Sequence, residues 1–90
     1  MNSIKRRTRD WLRKATRRPF YEVVEEAMLT PEQVKFLTMK YGSGLRYKEI
    51  AAQCDIDEST VKRTINDAYH KVYYVLQEKE YIETDIVEAV

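Results

Sequence analysis

Ninety residues make room for one domain with a small core, and 43% hydrophobic content, seven tyrosines included, supplies it. Two Gly and two Pro leave little turn punctuation for a many-stranded sheet, which predicts an all-α chain, and no apolar run of about 18 residues exists to span a membrane. The net charge of +1 hides an asymmetry: residues 1–18 hold eight Lys/Arg against Asp10 alone, and the rest holds eight basic and fourteen acidic residues. The average therefore argues nothing against a polyanionic partner.

In chain order, Ile4, Thr8, Trp11, Leu12 and Ala15 fall on one face of a first helix whose remaining surface is basic. Its charged start lacks the apolar core of a signal peptide. Pro19 ends this pattern at Arg18, because a residue before proline is pushed out of the α region. Phe20, Val23, Val24, Ala27 and Met28 then repeat at i, i+3, i+4, i+7, i+8, predicting a second short helix with Pro19 in its first turn. Thr30-Pro31-Glu32-Gln33 is the clearest start signal: Thr30 at the N-cap, Pro31 at N1 and Gln33 at N3 to close a capping box. The third helix carries Val34, Phe36, Leu37, Met39 and Tyr41 and stops at Gly42-Ser43-Gly44. A fourth runs from about Tyr47 to Cys54, turning Ile50, Ala51 and Cys54 inward. The fifth comes after Asp57, an N-cap residue, with a stripe of Val61, Ile65, Ala68, Tyr69, Val72 and Leu76 continuing to about Lys79. From Glu80 the chain is short and acidic, a last half-helix or a disordered tail. The reading divides the chain into a basic arm (1–18), a helical domain (19–79) and an acidic tail (80–90).

The stretch YKEIAAQCDIDESTVKRTI, Tyr47 to Ile65, joins two helices by a three-residue turn, the pattern of a helix-turn-helix. Such a turn holds the helices at a wide angle, so the start of the second protrudes and can enter a major groove. Val61 and Ile65 are expected to face inward against Ile50, Ala51 and Ile56. Glu58, Ser59, Lys62, Arg63 and Asn66 then point outward, and these are residue types that read base edges: Arg or Lys to guanine, Asn to adenine, Glu to the cytosine amino group. Thr60 at N3 and the helix-end amides suit phosphate. The competing reading of the same face is a solvated helix that binds nothing.

The span Leu29 to Val72 resembles region 4 of bacterial sigma factors, the part that binds the promoter −35 element. The resemblance covers about half the chain. Its markers are Leu29-Thr30, Tyr41-Gly42 followed by Gly44-Leu45, Tyr47-Lys48-Glu49-Ile50-Ala51, Ile56, and Glu58-Ser59-Thr60-Val61-Lys62-Arg63. LuxR-type domains share part of this pattern but lack the Tyr-Gly pair. The resemblance implies a helix-turn-helix fold of about five helices, binding to double-stranded DNA, and RNA polymerase as a further partner. Asp55 stands where the family usually has Gly in the turn, and Asp tolerates the left-handed conformation better than most residues. Nothing in the chain resembles sigma region 2, so the expectation is a stand-alone cytoplasmic, nucleoid-associated regulator, as from a phage or mobile element, or half of a split sigma.

Base reading is expected from Glu58, Ser59, Lys62, Arg63 and Asn66. Phosphate contact is expected from Arg46, Lys48 and Thr60, extended by Arg6, Arg7, Arg9, Arg13, Lys14, Arg17 and Arg18 of the basic arm. That arm has two other readings: a docking helix using Ile4, Trp11 and Leu12, or plain packing with solvated arginines. Tyr69, Tyr73 and Tyr74 with Val72, Val75 and Leu76 nearly encircle the last helix, so a second face is expected to be left for a homodimer or partner. The acidic tail folds over the basic arm or is simply solvated. Cys54 alone allows no internal disulfide, and with His70 it is too little for a zinc site. No enzyme, metal or cofactor is expected: His70 has no triad-like partner and Glu25-Glu26 is a solvated pair. The alternatives to a DNA-reading regulator are a polymerase-binding module and a ring-forming small-terminase-like packaging protein.

Overall fold

A computed structural model describes residues 3–82. Among them the chain is all-α, with five α-helices and one π-helical turn: α1 (Ser3–Lys14), α2 (Arg17–Glu26), α3 (Pro31–Leu37), the π turn (Thr38–Gly42), α4 (Tyr47–Cys54) and α5 (Glu58–Glu78). The residues of the acidic segment beyond Ile82 lie outside this description.

The longest helix, α5, is the centre on which α1, α2, α3 and α4 all pack. Its stripe of Val61, Ile65, Ala68, Tyr69, Val72 and Leu76 is wholly removed from solvent. Burial at this scale is the main stabilising term in a domain too small for a second core. Phe20, Val23 and Val24 of α2, Phe36 and Leu37 of α3, and Ile50 and Ala51 of α4 complete the core. At the start of α3 the capping box forms as expected: Gln33 N–H donates to Thr30 Oγ1 at 3.1 Å, and Thr30 N–H donates to Gln33 Oε1 at 2.9 Å. Both satisfy amides that the helix itself leaves unpaired.

Several expectations are corrected. The first helix stops at Lys14, and Arg17 and Arg18 open α2, with Pro19 still inside the first turn, where its missing N–H costs nothing. The α3 pattern does not run on as α-helix to Tyr41. It widens after Leu37 into the π turn, where Ser43 N–H reaches back to the Thr38 carbonyl at 3.1 Å. Met28 does not join the α2 stripe: it adopts φ 55° beyond the helix end and is 81% exposed. Ile56 is also exposed, because the turn residue sits at the edge of the core and not within it.

The second apolar face of α5 is not left over. Tyr73 and Val75 are buried too, and among the large hydrophobics of α5 only Tyr74 stays exposed. Helix α1 makes the most extensive helix contact in the fold with α5. Leu12 is buried there, and Thr8, equally buried, donates its hydroxyl to the Ile4 carbonyl at 2.8 Å. That back-bond satisfies a polar group that would otherwise be stranded in the core. Leu12 is therefore unavailable to fill a groove on another protein.

Candidate nucleic-acid interface

The turn between α4 and α5 is built by two backbone devices. Asp55 takes φ 57°, ψ 48°, the left-handed conformation the sequence requires of it, and Ile56 N–H bonds the Ala51 carbonyl at 3.1 Å, closing α4. Asp57 is then extended and starts α5, without its carboxylate accepting from the helix amides. Helix α4 opens differently from α3: Arg46 N–H donates to the Glu49 carboxylate at 2.8 Å.

On this frame Val61 and Ile65 lock the first two turns of α5 onto Ile50 and Ala51. Glu58, Ser59, Lys62 and Arg63 are exposed on the opposite side, with Thr60 and Asn66 half-buried at its margins. The five residues expected to read bases thus lie on the first three turns of one helix. Lys62 is held there by Glu58, at 3.7 Å across one helical turn, and by the Tyr47 ring, whose centroid lies 5.9 Å away.

A residue that sequence reasoning missed joins them. Lys40, on the π turn, sits 4.3 Å over the same Tyr47 ring and 5.6 Å from the Tyr41 ring. Two ammonium groups thus flank Tyr47, next to the exposed Arg46 and Lys48. The signal was its place directly before the Tyr41-Gly42 pair, but the π turn that aims it has no reliable sequence mark.

Beneath this surface the Tyr41 and Tyr69 hydroxyls meet at 2.7 Å. Burial pushes both phenols above their ordinary range, and for Tyr69 the Tyr41 hydroxyl adds to the rise. Arg9 and Arg13 lie close enough to Tyr41 to pull its pKa the other way, so one flank of α1 adjoins the same region. Arg17 lines a groove between the α1–α2 link and the π turn, beside Tyr41 and Ser43. Arg7 and Lys14 are not gathered there; they border a separate groove with Trp11 and Tyr81. Arg6 and Arg18 are exposed. Among the described residues no group of His, Cys, Asp or Glu is placed to hold a metal ion, and no helix is long and apolar enough to cross a membrane.

A buried seat, a left-handed turn and an exposed polar helix start framed by cations define a helix-turn-helix nucleic-acid-binding domain. The family model for Sigma-70, region 4 matches residues 27–72, half of the chain, and the chain belongs to that family. It is a family of DNA-binding domains acting in transcription, not of enzymes. The match begins at Ala27, so α1 and α2 precede it. No curated protein and no solved structure matches the chain.

Proposed function

We propose that the chain is a sequence-specific transcription regulator that reads a −35-type promoter element through the major groove of double-stranded DNA. The observation that carries this is the tip of α5, where Glu58, Ser59, Lys62 and Arg63 stand exposed on a helix whose opposite side is wholly buried. Lys62, Arg63 and Asn66 read or flank bases, with Glu58 and Ser59 at the tip. Arg46, Lys48 and Thr60 hold phosphates, and Lys40 joins them. Arg9, Arg13 and Arg17 extend the phosphate contact along the Tyr41 side, and Arg6, Arg7, Lys14 and Arg18 supply further positive charge.

Fluorescence anisotropy with a −35-like duplex and a scrambled one, at two salt concentrations, tests this. A preference of about a thousandfold with a steep salt slope is expected. Arg63→Ala should weaken the specific complex by roughly 1–3 kcal/mol and relax sequence choice. An equal loss on both duplexes would make Arg63 a phosphate contact.

A second reading has its own observation. Tyr21, Val24, Met28, Leu29 and Val34 line an open, largely apolar groove of about 370 Å³, with Met28 81% and Tyr21 48% exposed. Such a patch fits an apolar helix of RNA polymerase, the partner the family implies. Met28→Asp should then abolish co-purification with polymerase while leaving the anisotropy unchanged.

A further inference from the structure

The end of α5 is turned back onto α1 by a residue in an unusual conformation. Glu80 takes φ 61°, Glu80 N–H bonds the Gln77 carbonyl at 3.0 Å, and Tyr81 N–H bonds the Leu76 carbonyl at 2.9 Å. These are the two bonds of a Schellman motif, with Glu where Gly is usual. The reversal stacks the Tyr81 ring on Trp11, centroids 5.3 Å apart and planes 13° from parallel. Trp11, Tyr81 and Ile82 then line an open, mainly apolar groove of about 530 Å³, rimmed by Arg7 and Lys14 with Asp10 as its acid.

Ile82 thus stands at this groove, and the chain continues in sequence as Glu83-Thr84-Asp85-Ile86-Val87-Glu88-Ala89-Val90. That segment has three acids, no base and a central apolar pair, Ile86-Val87. Its chemistry complements the groove: apolar side chains for the Trp11 floor, carboxylates for the cations of α1. Eight extended residues reach roughly 26–29 Å, and the twelve residues of α1 span only about 18 Å, so the segment can run the helix's whole length. Direct attachment gives it an effective concentration on the order of millimolar, which fills even a weak site.

We propose that the groove beside Trp11 is the seat of residues 83–90 of the same chain, and that this segment competes with DNA phosphates for the basic flank of α1. The competition, though not the seat, rests on the DNA-binding function proposed above. It discounts α1 as a non-specific DNA clamp while leaving the tip of α5 open to read sequence. Non-specific binding is almost entirely a matter of phosphate neutralisation, so an internal polyanion lowers it selectively.

The chain contains a single Trp, so tryptophan fluorescence reports on this groove alone. The test compares the parent chain with the triple variant Glu83→Gln/Asp85→Asn/Glu88→Gln, which leaves every described core residue in place. In low salt, acrylamide is expected to quench Trp11 less in the parent than in the variant. Raising the salt should bring the parent up to the variant, since screening weakens the attraction. The variant should also bind a scrambled duplex about three- to tenfold tighter at low salt, with the gap closing at high salt. Equal quenching of the two chains at low salt overturns the seat. A quenching difference with equal DNA affinity overturns the competition and keeps the seat. A quenching difference with no DNA binding by either chain upholds the seat and overturns the DNA-binding function.

Discussion

At the scale of single residues, the Tyr41–Tyr69 pair shows how a polar contact is tolerated in a small core. Tyr69 is wholly buried, and its hydroxyl is satisfied by the 2.7 Å bond to Tyr41, with Tyr47 as a further neighbour. Both phenols are held above their ordinary pKa, mainly by burial, which penalises the phenolate. The folded chain therefore keeps protons that the unfolded chain releases above about pH 10. Stability from this source is complete below about pH 10 and is lost as pH rises toward the folded values. Chemical denaturation from about pH 8 to about pH 11, spanning the ordinary phenol range, should show Tyr69→Phe declining less steeply than the parent; parallel declines would mean the pair does not couple to folding. The sequence marked Tyr69 as part of the core stripe. It could not mark Tyr41 as its partner, because the contact spans 28 positions and depends on the π turn.

At the scale of elements, starts were easier to read than ends. Thr30-Pro31-Glu32-Gln33 forms its capping box because all the partners lie within one helical turn, a purely local matter. The ends use three non-glycine residues in the left-handed region: Met28 after α2, Asp55 after α4 and Glu80 after α5. Only Asp55 was legible, from the family's usual glycine at that turn. Met28 and Glu80 carry no such mark. A left-handed conformation costs a residue with a Cβ roughly 1–2 kcal/mol, and glycine gives back about 0.4–1 through its freer unfolded chain. The first term is larger, so Met28→Gly should stabilise by about 0.5–1 kcal/mol, a rise of roughly 2–8 °C in Tm. Asp55→Gly should gain less, because Asp already tolerates the region. Thermal melts of both check the order, and a lower Tm for Met28→Gly would mean that its side chain packs more than its 81% exposure allows.

At the scale of the whole molecule, the question is what α1 contributes, and composition alone does not decide it. Eight basic residues in the first eighteen leave three readings open: a DNA arm, a docking helix, or plain packing of the Ile4, Thr8, Trp11, Leu12 and Ala15 face. The fold shows the packed form: α1 makes the most extensive helix contact with α5, with Leu12 only 2% exposed and Thr8 fully enclosed. The helix-turn-helix and its exposed tip were readable because that motif is local and its spacing is rigid. The packing of α1 was one of three readings of the same stripe, and local pattern could not choose among them because the contact joins opposite ends of the chain. This packing bears on function as well as stability: it brings the Arg9 and Arg13 flank of α1 near enough to Tyr41 to act on its hydroxyl, toward the surface that Lys40, Tyr47 and Lys62 share. Leu12→Ala should therefore cost about 2–5 kcal/mol of folding stability, a buried-leucine loss. An exposed change on the same helix, Arg13→Ala, should leave stability within about 0.5 kcal/mol and lower the salt slope of DNA binding by about one. Urea unfolding of the two variants separates these roles. If Leu12→Ala unfolded at the parent's midpoint, α1 would be an arm resting on the domain, and its arginines would have no fixed place beside the α5 tip.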